Sequence, residues 1–130
     1  MKPEDPAYLL HILDAISHIE EFAQNISSAE DLREHPLERA GIERMLSIIG
    51  EAAKNVSPHV RKAAPDIPWK ATAGMRDKLI HHYFGVDYEA VYETVRQDLP
   101  VLKREIRRLL ADTATKRSGT RKTRKNREKP

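Results

Sequence analysis

"LERAGIERMLSIIGEAAKNVS", residues 37–57, sets Ile42, Met45, Leu46, Ile49, Ala53 and Val56 three and four residues apart. An apolar stripe with that spacing predicts an amphipathic helix, which Asn55, Ser57 and Pro58 bring to a stop. Gly50 interrupts the stripe at a cost of roughly 1 kcal/mol relative to alanine, so another backbone is expected to approach closely there. The same periodicity governs the segments on either side. Upstream, Pro6 suits a first helical turn, and Leu9, Ile12, Leu13, Ile16, Ile19 and Ala23 continue it as a second amphipathic helix. Between the two lies "NISSAEDLREHP", residues 25–36, which reads as a short helix with Ser27 or Ser28 as N-cap and acids in its first turn.

Downstream, "PHVRKAAPDIP" at 58–68 contains three prolines and is a connector with room for one short turn. A third long helix is expected from Pro68 and Trp69 to about Tyr83, with Gly85 as its left-handed stop. Asp87 then caps a fourth helix carrying Val91, Val95 and Leu99. Pro100 removes a backbone donor, so a break or kink is expected before "VLKREIRRLL" resumes as helix to about Ala111. No stretch shows sustained alternation of period two. The expectation is an all-α body over residues 1–112, a bundle with mostly short loops.

The chain has 130 residues, 33% of them charged, which suits one domain with one modest core. It contains no cysteine, so no disulfide framework, thiolate nucleophile or thiolate metal site is available. Neither an export leader nor a run of apolar residues long enough to span a bilayer is visible, and a cytoplasmic address is expected. The formal charge of +3 conceals a division. Residues 1–112 hold 15 Lys and Arg against 19 Asp and Glu, whereas residues 113–130 hold 8 against 1. A mildly acidic body lacks the broad basic surface of a dedicated nucleic-acid reader, so any such binding has to be local or use the tail. That tail, "TATKRSGTRKTRKNREKP", has no aliphatic larger than alanine and is expected to be disordered. It reads either as a phosphate-seeking arm or as a solvated extension.

The chemically conspicuous segment is "RDKLIHHYF", residues 76–84, with an arginine, two histidines and a tyrosine in nine residues. On one straight helix Arg76 and Tyr83 would lie about 20° apart around the axis, and His81 roughly 140° from Arg76. Asp77 and His81, four apart, would share a face and let the carboxylate orient the imidazole. A single straight helix therefore does not bring Arg76, His81 and Tyr83 onto one phosphate. Loosening of the helix near Gly85, a second copy of the chain, or both would do so. Each residue also has a plain structural reading: Arg76 as an ion pair with a neighbouring acid such as Glu51, the histidines as solvated helix residues, Tyr83 and Trp69 as core rings.

Arg76, four residues, His81, one residue and Tyr83 form a spacing that resembles the signature of HEPN-domain toxins of the HepT type. The likeness extends to "ERMLSIIGEAAKNVS" at 43–57, to "IPWKATAGMRDKLIHHYFGVDYEAVYETVRQDLPVLKREI" at 67–106 and to the opening helix; only the basic tail falls outside it. The resemblance implies a four-to-five-helix HEPN bundle that forms a two-fold homodimer, the two motifs facing a shared cleft. It implies the toxin of a type VII-like toxin–antitoxin system, an endoribonuclease that needs no metal or other cofactor. It further implies a cognate MntA-type nucleotidyltransferase antitoxin that brings its own ATP and Mg²⁺ and transfers AMP to the motif tyrosine, here Tyr83. Arg76 and His81 correspond to the catalytic pair, Asp77 to the polar position after the arginine, and His82 to a variable one. The alternative is a non-catalytic HEPN subunit that binds and is modified by such a nucleotidyltransferase. Ligand spacing for a metal is not apparent anywhere in the chain.

Overall fold

The computed structural model describes the backbone of residues 2–81 and 85–125, with side chains for 2–77, 79 and 85–112. Its frame is three long helices: α1 (Asp5–Phe22), α3 (Pro36–Asn55) and α8 (Leu99–Lys125). The short α2 (Ala29–Arg33) bridges α1 and α3, and α4 (Pro58–Ala63), α5 (Trp69–Ala73), α6 (Met75–Leu79) and α7 (Tyr88–Glu93) fill the path from α3 to α8. The chain is an all-α bundle, apart from two two-residue strands, β1 (Ile80–His81) and β2 (Gly85–Val86).

The stripes read from the sequence face one core. Leu9, Ile12, Ile16 and Ile19 of α1 meet Ile42, Leu46, Ile49 and Ala53 of α3, and Leu99, Leu102 and Ile106 of α8 complete the cluster. Each large side chain buried in this way contributes about 1.5–3 kcal/mol relative to its exposed state. α1 packs mainly along α3, with α8 against α1. α5 and α6 lie across α3, and α2 lies against α7. Ser28 caps α2, its hydroxyl accepting from the Asp31 amide at 3.0 Å, and Asp87 caps α7, its carboxylate accepting from the Ala90 amide at 3.1 Å. Both caps were legible in the sequence.

Gly50 is buried where α3 meets α5, and a Cβ built on it would stand 2.9 Å from the Ala73 carbonyl oxygen. The glycine thus has the reason expected of it: close approach of a second backbone. A different tie anchors α1. The buried Asp5 carboxylate accepts from the Ser57 amide at 2.9 Å and from the Ser57 hydroxyl at 2.8 Å, pinning the start of α1 to the α3–α4 junction. Burial alone would raise the proton affinity of Asp5, but the hydrogen bonds from Ser57 and the Lys2 amide outweigh it and hold the group below its ordinary value of 3.8.

Three expectations need correction. The third long helix does not run to Tyr83: it breaks at Gly74 and again after Leu79. Glycine is a poor helix former, and the β-branched and aromatic residues beyond Leu79 favour extended backbone. The irregularity expected near Pro100 is a π-helical turn over Thr94–Asp98, where the Leu99 amide donates back to the Thr94 carbonyl. Pro100 then occupies the first turn of α8, where its missing donor costs nothing. Finally, α8 continues to Lys125, so residues 113–125 form helix where composition predicted a structureless arm. Extending an established helix avoids the cost of nucleation, and Lys and Arg are good helix formers that suit a helix C-terminus. Residues 126–130 of that expected arm lie outside the described residues.

Two outcomes test this frame. Gly50→Ala should lower stability by about 1–2 kcal/mol in urea unfolding despite the helix-propensity gain of about 1 kcal/mol, because α5 has to shift. Asp5, with its folded pKa depressed, contributes stability that is present above the unfolded value and lost as pH falls through the folded one. Wild type should therefore lose stability below about pH 4, and Asp5→Asn, less stable at neutral pH, should show a flatter acid limb.

Candidate active site

The residues singled out from 76–84 occupy the point where α6 gives way to a hairpin. α6 spans only Met75–Leu79, and Leu79, 4% exposed, anchors its end in the core. The backbone then extends. β1 and β2 pair antiparallel, with Ile80 opposite Val86 and His81 opposite Gly85. The Asp87 amide donates to the Leu79 carbonyl at 2.9 Å and closes the base of the hairpin. Gly85 adopts φ +83°, the left-handed conformation expected of it, but there it serves the hairpin and does not end a helix.

This geometry replaces the helical-wheel argument. Arg76 lies on α6 and His81 on β1, so the angle between them is no longer fixed by a helical period of 3.6 residues. Of the two routes considered for bringing them together, loosening of the helix is present, and it begins at Ile80. Asp77 and His81 do not share a helical face, because the helix ends between them. The Arg76 guanidinium is half exposed and lies 3.8 Å from the Asp77 carboxylate, itself 84% exposed. A pair so wet holds the arginine weakly, leaving its fork available to an anion. Glu51, weighed as a structural partner for Arg76, instead pairs with Lys54 at 3.8 Å. The His81 side chain and all of Tyr83 and His82 lie outside the described residues.

Beside this hairpin is a cluster that sequence reasoning did not find. Tyr88, the first residue of α7, has the Arg33 guanidinium 4.4 Å and that of Arg39 5.5 Å from its ring centroid. Arg39 also donates to the Tyr88 hydroxyl at 2.9 Å. Forty-nine residues separate these partners, and only the fold joins α2, α3 and α7 around one ring. Two cation–π contacts and a hydrogen bond fix the start of α7, and with it β2 and the hairpin base. Trp69 behaves as the core-facing ring anticipated: half-buried, its indole N–H donates to the Ala64 carbonyl at 3.0 Å. Among the described residues no helix is long and apolar enough to cross a membrane.

Comparison with known proteins bears on the same segment. Residues 12–109 match the family profile described as "Ribonuclease HepT-like", a span that includes α6 and the hairpin. A protein of Thermococcus cleftensis named "Probable ribonuclease HepT" is 44% identical over 109 residues, covering 84% of this chain and 98% of that protein. A protein of Caldanaerobacter subterraneus subsp. tengcongensis, provisionally named as an RNase, is 42% identical over 110 residues, 85% of this chain and 96% of its own. Another of Methanocaldococcus jannaschii, also provisionally named as an RNase, is 40% identical over 111 residues, 85% and 91% respectively. No solved structure matches the chain at a significant level.

Proposed function

From the premise that the chain belongs to the HepT-like ribonuclease family, and is an endoribonuclease of that type, we propose that it cuts RNA with Arg76 and His81, without a metal ion, as the toxin of a toxin–antitoxin pair. The observation that carries this reading is the end of α6 at Leu79. It sets a half-exposed guanidinium one turn before an extended segment bearing an imidazole.

The chemistry follows from the residue types. The ribose 2′-hydroxyl attacks the adjacent phosphorus, its proton passes to a base, and the P–O5′ bond breaks as an acid protonates the departing oxygen. The products are a 2′,3′-cyclic phosphate and a 5′-hydroxyl. Imidazole titrates in the range where both proton transfers are feasible, and the planar guanidinium of Arg76 offsets the charge that gathers on the phosphate. One motif supplies one histidine; a homodimer supplies the second. An apolar trough of about 400 Å³ between α5–α6 and α8 supports such pairing. It is lined in part by Met75, the neighbour of Arg76, and by Val101, which is 45% exposed. A second copy covering that trough would bring the two α6 helices near each other.

Regulation in this reading falls on Tyr83. Transfer of AMP from ATP to its hydroxyl by a partner nucleotidyltransferase releases pyrophosphate and leaves a bulky anion two residues from His81. The anion competes with RNA for Arg76. ATP and Mg²⁺ belong to that partner. The non-catalytic alternative, a subunit that is only bound and modified, keeps the same modification and differs in lacking cleavage.

Purified protein should cut total RNA in the presence of chelator. Arg76→Ala and His81→Ala should each lower the rate by about a hundred to ten thousand fold while leaving the urea midpoint where it is in wild type. Undiminished cutting by both variants would remove these residues from the mechanism, and no cutting by wild type would favour the binding subunit. Incubation with the partner nucleotidyltransferase and ATP should add AMP to wild type, detected by intact mass, and not to Tyr83→Phe.

A further inference from the structure

We propose that the groove between α4 and α5 is a track for single-stranded RNA, in which Lys54, Arg61, Lys62 and Lys70 take phosphates and Trp69 offers a stacking surface to a base. The identity of the ligand rests on the ribonuclease reading; the groove itself stands on its own geometry. Its volume is about 540 Å³, and its lining brings together cations from three elements: Lys54 at the end of α3, Arg61 and Lys62 on α4, and Lys70 on α5. No carboxylate lines it among the described residues. In a body of net negative charge, four cations without an acid among them are a local departure from the average, the kind of confined basic surface that the overall charge left open.

The details favour an anionic polymer with bases. The acid that reaches one of these cations among the described residues is Glu51, whose contact with Lys54 at 3.8 Å joins two mostly exposed groups and gives way readily. The Nε of Arg61 is buried and has no hydrogen-bond partner among the described residues, so its guanidinium is only partly satisfied by the protein. Trp69 is held at its indole nitrogen by the Ala64 carbonyl, which fixes the ring while its remaining surface borders the groove. A fixed, half-exposed aromatic among flexible cationic side chains is how single-stranded nucleic acid is held without sequence preference. Past Trp69 and Lys70 a second open groove, also lined without carboxylates among the described residues, extends to Gly74, and Arg76 comes two residues later in the chain. The track therefore leads toward the segment that carries the cutting residues, and its role is to position RNA there.

Trp69 is the single tryptophan of the chain, so its emission reports on this groove alone. The probe is a short 2′-O-methyl oligouridylate, which cannot be cut by 2′-hydroxyl attack. Titrated into the intact protein at low salt, it should quench Trp69 emission. Lys62→Glu/Lys70→Glu should weaken binding at least tenfold, measured by anisotropy of the labelled oligonucleotide, and reduce the salt slope by about two. Arg104→Glu/Arg107→Glu, an equal charge change on the exposed side of α8, should weaken it far less. No binding, binding that leaves Trp69 emission unchanged, or equal weakening by both double variants would overturn the track. The two readings fail separately. Quenching and groove-dependent binding by a protein that cuts no RNA would uphold the track and sink the ribonuclease reading. RNA cutting that is unaffected by Lys62→Glu/Lys70→Glu would sink the track alone.

Discussion

The approach of the α5 backbone to α3 at Gly50 is the constraint on which the functional half of the molecule depends. With only hydrogen on the α3 side, the Ala73 carbonyl comes within the space a Cβ would occupy. Thr72, also buried, turns its hydroxyl to the Pro68 carbonyl at 2.9 Å and so presents no unpaired donor to the core. α5 is only five residues long and could not hold its place by its own hydrogen bonds; isolated helices of that length do not persist in water. Its position comes from this contact. Trp69 at one end of α5 and Arg76 just past the other are placed by the same crossing.

Beyond Gly74 the chain is built from fragments, and there is a physical reason for it. A continuous helix through residue 83 would satisfy more backbone groups than the short α6 and a two-pair ladder do, yet it would fix Arg76 and His81 on different faces. Ending the helix at Leu79 releases that phase. A ladder of two pairs is marginal by itself, so the hairpin relies on its surroundings: the buried Leu79, the Asp87-to-Leu79 hydrogen bond, and α7 held through Tyr88 by Arg33 and Arg39. Local stability borrowed in this way is typical of segments that bind ligands.

The long helices, the caps at Ser28 and Asp87, the special role of Gly50 and the positive φ of Gly85 were all readable from residue types, because each answers to local sterics or to a period-3.6 stripe. The third helix was misread for a related reason. Met75, Leu79 and Val86 keep a plausible helical rhythm, and nothing in that rhythm records that two backbones meet at Ala73 and unsettle the turn at Gly74. The π-helical turn before Pro100 is similarly a compromise between a ring that forbids one hydrogen bond and a core that wants Val91, Leu99 and Ile106 on one side. The continuation of α8 past residue 112 was hidden because composition speaks to burial, whereas elongation of a helix already anchored at Leu99, Leu102 and Ile106 needs none. At the site, Arg76 and Asp77 were visible as residue types, but the cluster of Arg33, Arg39 and Tyr88 depends on contacts between distant elements and leaves no pattern along the chain.

Charge distribution connects these features to the way such an enzyme would handle RNA. An acidic body repels polyanions in general, so affinity arises only where cations stand clear of carboxylates, and the lining of the α4–α5 groove meets that condition. Arg33 and Arg39 do not, being engaged with Tyr88 beside Glu30, Asp87 and Glu89. The difference is one of availability. Guanidinium groups committed to a ring and its hydroxyl stiffen the hairpin base, whereas Arg76 and the cations around Trp69, held only weakly by the protein, exchange water for phosphate at little structural cost. Scaffold and substrate contacts are thereby assigned to different arginines, and it is the commitment of the first set that leaves the second free to bind.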